Sequence, residues 1–191
     1  MEADWLRLER RGPLDPRWDF DQPDIERARH AVLWHGMWEQ QTEEVLSAVR
    51  RRGIFPTHRI LDFGSGVGRL TAALGPHTIA ADSSPAMRRH CPGTLAPEEV
   101  FANPRPRFDW AVAVEVFQHV PAPDLLPLLG ELMTVTDRVF CWGNEWLDVD
   151  WHGRSDSTRV SEVLALAGIV SSDVVQTCRG PRWCAVLTSR Q

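Results

Sequence analysis

Three glycines alternate with other residues in the stretch ILDFGSGVGRL at positions 60–70. They are Gly64, Gly66 and Gly68, and Asp62 stands two residues before the first. Glycines at this spacing let the backbone turn tightly and let a ligand come close to main-chain N–H groups, because no Cβ intervenes. Between a strand and a helix, such a turn holds a nucleotide-like ligand. Two common versions of that chemistry are excluded. A dinucleotide fingerprint would need a third glycine at position 69, where the chain has Arg69. A phosphate loop would need a lysine followed by Ser or Thr, and the chain contains no lysine. The absence of lysine and tyrosine also removes Schiff-base chemistry and any lysine or tyrosine general base.

Two further groups carry chemical potential. Asp82 closes the run TIAAD and is followed by SSPAM. Glu115 and His119 lie in FDWAVAVEVFQHVP at 108–121. A histidine beside a carboxylate can serve as a general base. The same histidine can equally cap its helix or bond a backbone carbonyl, and the residues alone leave both readings open.

Taken in order, these segments resemble the class I S-adenosylmethionine-dependent methyltransferases. ILDFGSGVG is similar to motif I of that family, Asp82 falls where the family places an acid after its second strand, and FDWAVAVEVFQHVP is similar to its FDxVxxxEVLxHV segment. The resemblance implies a Rossmann-like, doubly wound α/β sheet of seven strands, mostly parallel, with one antiparallel strand near the C-terminus. It implies S-adenosylmethionine as cofactor and S-adenosylhomocysteine as product. On this reading Asp62, Gly64, Ser65 and Gly66 hold the methionyl end, and the N-terminus of the following helix favours its carboxylate. Asp82 takes the ribose hydroxyls with Ser83 beside it, and Met87 packs on adenine. Ala102 and Asn103 stand nearest the place where the family usually has an Asp that reads the adenine amine. Asn can accept that hydrogen bond through its side-chain carbonyl. Glu115 faces the methyl side, and Glu115 and His119 are the catalytic candidates. Some branches bind Mg²⁺ through E-x-x-E-H. Here Gln118 replaces the second acid in EVFQH, which weakens the oxygen-ligand set of a hard cation, so no metal is expected.

Acceptor recognition has weaker signatures. Methyl transfer from a sulfonium is an in-line displacement that mainly needs alignment and exclusion of water. Nine tryptophans are many for 191 residues. Trp34, His35 and Trp38 lie in the N-terminal segment, and Trp142, Asn144, Glu145 and Trp146 lie in CWGNEWLDVDWHG. Aromatic faces with acids nearby suit a flat or cationic acceptor. Ordinary packing would account for any one of these rings, so the cluster carries the expectation.

The elements that must position these residues follow from periodicity. A helix is expected from Pro23 to Arg52, with Gly36 bending or splitting it and Gly53 ending it. Strands are expected at HRILDF, TIAAD, weakly at 94–101, and at DWAVAVEVF, RVFCWG, IVSSDVVQT and RWCAVLTS. Helices are expected at GRLTAAL, after Ser84-Pro85, at PDLLPLLGELMTV and at STRVSEVLALAG. The connection CRGPR is too short for a crossover, so the last two strands should be antiparallel. The expected organisation is an aromatic-rich helical lid at 1–53 and a cofactor-binding core at 54–191, within one domain.

Bulk composition narrows the partners. The net charge of −5 and the scattered arginines argue against a nucleic-acid binder. No apolar run approaches the ~18 residues of a membrane span. The four cysteines show no metal spacing, and the charged N-terminus has no apolar leader, so a cytoplasmic setting is expected. The leading expectation is a methyltransferase acting on N or O of a small-molecule acceptor, in specialised metabolism, as a monomer or homodimer. Cyclisation or elimination with the same donor, and non-catalytic binding of the donor, are the alternatives.

Overall fold

Apolar runs separated by polar, helix-forming segments are the pattern of strands joined by crossovers. The computed structural model of the protein describes residues 38–102, 107–120, 122–143, 169–177 and 180–188. Its elements run in the order α1 (Trp38–Arg51), β1 (Ile60–Phe63), α2 (Thr71–Leu74), β2 (Thr78–Ala81), α3 (Pro85–His90), α4 (Pro97–Phe101) and β3 (Trp110–Val114). A 3-10 turn (Phe117–His119), α5 (Ala122–Val135), β4 (Arg138–Gly143), β5 (Ile169–Thr177) and β6 (Gly180–Thr188) complete it. The N-terminal arm, the beginning of the long first helix and the helix expected at STRVSEVLALAG fall outside the described residues.

The strands form one sheet of six, ordered β2-β1-β3-β4-β6-β5. β2, β1, β3 and β4 are parallel. β6 runs antiparallel to both β4 and β5. This is the expected mixed α/β sheet, including the closing antiparallel hairpin. A seventh strand is not among the described residues. The weak strand expected at 94–101 is a helix instead, and only Leu95 bridges to β2, opposite Ala81. The local chemistry explains the correction. Pro97 has no N–H for a ladder but suits the first helical position. Glu98 and Glu99 sit at the positive end of the helix. The Ala96 N–H donates to the Glu99 carboxylate at 2.7 Å, which closes the first turn.

Alternation along the strands divides the core between two faces. On one face Leu61, Phe63, Ala111, Ala113 and Cys141 meet Leu125, Leu128 and Leu132 of α5. On the other, Ile60, Trp110, Val112, Val114, Phe140 and Trp142 meet Val45, Leu46, Ala48 and Val49 of α1. α1 is therefore packed directly on the sheet. It ends as expected at Gly53, whose φ is +76°. The Gly53 N–H donates to the Arg50 carbonyl at 3.0 Å and the Ile54 N–H to the Val49 carbonyl at 3.2 Å, a Schellman pair that satisfies the last carbonyls. The buried Ile54 pins that turn to the core. No helix among the described residues is long and apolar enough to cross a membrane.

The sheet reverses direction at β1. From β1 the chain moves outward to β2, then returns across β1 to start β3 on its other side. Crevices for ligands open at such a reversal, beyond the C-terminal ends of the strands. The glycine stretch leaves β1 there, and Glu115 ends β3 beside it.

Candidate functional site

The glycine loop is held by main chain. Gly64, Gly66 and Gly68 have φ values of +73°, +57° and +81°, the left-handed region that favours glycine. The N–H groups of Gly64 and Ser65 donate to the Ala81 carbonyl at 2.8 and 3.0 Å. The glycines differ in what surrounds them. A Cβ on Gly64 would lie 2.3 Å from Val116 Cγ2, and one on Gly68 would lie 2.5 Å from Cys91 Sγ. A Cβ on Gly66 would meet nothing within 4 Å. Gly64 and Gly68 thus serve close packing, and Gly66 lines open space where a ligand can approach.

Asp82 completes the loop. One carboxylate oxygen accepts from the Gly66 N–H at 2.7 Å and the other from the Ser84 N–H at 2.9 Å. Each oxygen keeps a second lone pair for a ligand donor. Burial raises the Asp82 pKa, and the two backbone hydrogen bonds and nearby Arg88 offset part of that rise. The Arg88 guanidinium donates to the carbonyls of Asp82 and Ser83 at 2.6 and 2.9 Å. Ser84 caps α3, weakly accepting from the Met87 N–H at 3.4 Å. Met87 is buried against Val67 and the ring of Trp38.

Asp62 is 2% exposed. It lies on the α1–α2 face of the sheet, where Thr71 Oγ1 donates to it at 2.6 Å. Burial pushes its pKa up to about 6, against the lowering effect of Thr71 and of the Arg69 charge. Arg69 in turn is tied to α1: it donates to Thr42 Oγ1 at 3.1 Å and lies 5.6 Å from the Trp38 ring centroid.

The neighbouring strand ends carry the other candidates. Glu115 has φ +58°, which ends β3 abruptly, and its N–H donates to the Trp142 carbonyl at 2.6 Å. Its carboxylate accepts from Arg182 Nε at 3.0 Å. Arg182 comes from β6 and is itself buried, at 7% exposure. Gln118 is buried beside Gly143, where a Cβ would lie 2.7 Å from its Oε1, so glycine makes the room. The Gln118 amide nitrogen is 3.3 Å from His119 Nε2. With that nitrogen as donor, Nε2 accepts and the ring proton sits on Nδ1. Glu115, Arg182, Arg69 and Trp142 line one small cavity of about 10 Å³ under α1, room for a single water-sized molecule.

Asp62, Gly64, Ser65, Gly66, Asp82, Ser83 and Met87 are therefore brought together at the reversal point, and Glu115, His119 and Trp142 at the strand ends beside it. Trp38 lies against Met87 and Arg69, on the glycine-loop side. Two expectations change. Ala102 ends α4, its N–H donating to the Glu98 carbonyl at 2.9 Å, so no strand end exists there to present it. The helix after the loop begins only at Thr71 and has four residues. Trp34, His35, Asn103, Asn144, Glu145 and Trp146 lie outside the described residues. Sequence reasoning missed Thr71, Arg69, Arg88 and Arg182. Arg88 had a signal, standing four residues after its cap Ser84 as a helical neighbour. Arg182 had none.

The residues present fit an adenosyl amino-acid ligand. A buried, ionisable Asp62 suits an ammonium group. The open side of Gly66 gives the backbone a close approach. The Ser65 hydroxyl is buried with no hydrogen-bond partner among the described residues. No group of three or more His, Cys, Asp or Glu side chains able to hold a metal occurs among the described residues.

Known proteins share this fold. A methyltransferase domain profile matches residues 37–135, just over half of the chain. The chain belongs to the class I S-adenosylmethionine-dependent methyltransferases. No curated protein matches it. Among solved structures it is similar to magnesium protoporphyrin IX methyltransferase from Synechocystis PCC 6803 with bound SAH, at 15% identity and a TM-score of 0.60, covering 88% of this chain and 89% of that one. A SAM-dependent methyltransferase from Aquifex aeolicus is similar at 16% identity and TM-score 0.60, covering 87% and 100%. The pyocyanin biosynthetic protein PhzM is similar at 14% identity and TM-score 0.63, covering 92% of this chain and 62% of that one.

Proposed function

We propose that this enzyme transfers a methyl group from S-adenosylmethionine to a nitrogen or oxygen of a small-molecule acceptor, in specialised metabolism. The observation that carries the reading is the continuity of two sites: Val116, next to Glu115, packs on Gly64, so the strand-end polar groups adjoin the loop that holds the donor. The bound cofactor supplies a methyl on a positively charged sulfur, a good leaving group. The chain's own residues then have three tasks. Asp62, Ser65 and Gly66 hold the amino-acid end of the donor, and Asp82 with Ser83 holds the ribose. Met87, with Trp38 packed on it, covers an apolar surface of the adenine. At the strand ends, His119 takes a proton from an acceptor that arrives protonated; with the ring proton on Nδ1 the basic lone pair is on Nε2, so the acceptor displaces the Gln118 amide from that nitrogen.

Similar solved structures include proteins named for magnesium protoporphyrin IX and for pyocyanin biosynthesis, and these names support a small-molecule acceptor. The acceptor's contacts are assigned to Trp34, His35, Asn144, Glu145 and Trp146, and this part of the reading rests on the sequence; Trp142, expected among them, is instead buried in the core against α1. The test is a screen of nitrogen and oxygen nucleophiles with S-adenosylmethionine, followed by mass spectrometry for a gain of one methyl and formation of S-adenosylhomocysteine. With a turned-over acceptor in hand, His119→Ala should lower the rate ~10²–10⁴-fold. A loss below about threefold would return His119 to a structural role.

A further inference from the structure

Four charged side chains surround the small cavity next to the glycine loop: Arg69 and Arg182, Glu44 and Glu115. Their formal charges cancel. The best-defined contact among them is the pair between Glu115 and Arg182, which are 67 positions apart in sequence. Both ends are constrained. Arg182 is buried in β6, and its side chain is only 8% exposed. Glu115 sits in a left-handed backbone conformation that a non-glycine residue seldom adopts, and its N–H is tied to β4. The pair therefore holds one carboxylate in one place, directly after β3 and one residue from the Val116–Gly64 contact.

We propose that Arg182 is a positioning residue of the donor site. By tying down and neutralising Glu115, it keeps the edge of the site beside the glycine loop free of net charge. It thereby sets how strongly the protein prefers the cationic sulfonium donor over its neutral thioether product. This rests on the placement of Glu115 at the methyl side of the donor. The physical reason is Coulombic. In a partly buried site a single uncompensated charge acts at an effective dielectric far below that of water. An unbalanced Glu115 would hold the donor tightly. Loss of the Glu115 charge would weaken the hold on the donor while leaving the neutral product almost unaffected.

The experiment is calorimetric titration of the full chain with S-adenosylmethionine and with S-adenosylhomocysteine, reported as the ratio of the two affinities. Glu115→Gln removes the carboxylate charge beside the donor and should lower the donor-to-product ratio about tenfold. Arg182→Met should raise it by a similar factor, and the double variant should return it close to wild type. Arg182→Lys, which keeps the charge, should leave the ratio nearly unchanged. Equal weakening of both ligands by Glu115→Gln would overturn the proposal, because a purely structural pair would act in that way. If Arg182→Met does not fold, Glu115→Gln and Arg182→Lys decide the matter. Failure of the wild-type protein to bind either ligand is a different outcome: it would overturn the donor assignment and this inference with it.

Discussion

At the β1–β2 edge of the site Asp82 and the glycine loop are held by main chain and Asp62 by the hydroxyl of nearby Thr71, whereas at the β3–β4–β6 edge Glu115 is held by a side chain far away in sequence. Asp82 is fixed by the N–H groups of Gly66 and Ser84, sixteen and two positions away. Asp62 is fixed by Thr71, nine positions away. Glu115 is fixed by Arg182 across 67 positions, and Gln118 occupies space that Gly143 leaves open. A loop built from backbone tolerates changes of side chain but not the addition of a Cβ in the wrong place. A site built from paired side chains tolerates changes of shape but not an unmatched charge.

The largest effect should come from a methyl group in the close-packed part of the loop. Gly64→Ala combines a left-handed backbone with a 2.3 Å clash against Val116. It should cost about 4 kcal/mol of stability in urea denaturation. Gly66→Ala has the same backbone penalty without the clash and should cost only about 1–2 kcal/mol, while weakening donor binding because its methyl enters the open side. Equal stability losses for the two would break the distinction between packing glycine and ligand-facing glycine.

Next comes the buried acid. The folded pKa of Asp62 is raised from 3.8 to about 6, so between those pH values the folded protein binds more protons than the unfolded chain. Its contribution to stability is thus greatest at low pH and is lost as pH rises through about 4 to 6, a change of about 3 kcal/mol. Asp62→Asn should remove that slope from a series of melts of the ligand-free protein. An ammonium on the ligand favours the ionised acid, so affinity for S-adenosylmethionine should strengthen as pH rises through about 6. A pH-independent affinity would detach Asp62 from the amino end of the donor.

Asp82→Ala should have the smallest effect of the three, lowering affinity for S-adenosylmethionine by ~1–3 kcal/mol in calorimetry. It should also loosen the glycine loop, because it removes the acceptor for two backbone N–H groups. Unchanged affinity would sink the ribose assignment and leave Asp82 as a structural acid.

Most of the donor half was legible in the sequence because its causes are local. Alternating glycines, an acid after an apolar run, and a Ser-Pro cap each act through neighbours a few residues away, so spacing alone carries their meaning. The same holds for the end of α1 at Gly53 and for the antiparallel hairpin after a five-residue connection. Residues 94–101 are too short and too mixed for periodicity to separate strand from helix, and Pro97 with Glu99 decides for helix only once a first turn can close. The strand-end half depended on the tertiary structure. No local pattern announces that Arg182 will reach Glu115, or that Gly143 will leave room for Gln118. The first contact exists because β6 is inserted antiparallel beside β4, and the second because β3 and β4 are neighbours, each bringing distant chain segments to the same edge. Sequence determined which groups could hold a methyl donor, through backbone conformations that only certain residues adopt. Tertiary structure decided which charges face one another beside it, because side-chain pairing depends on distance in space and not on distance along the chain.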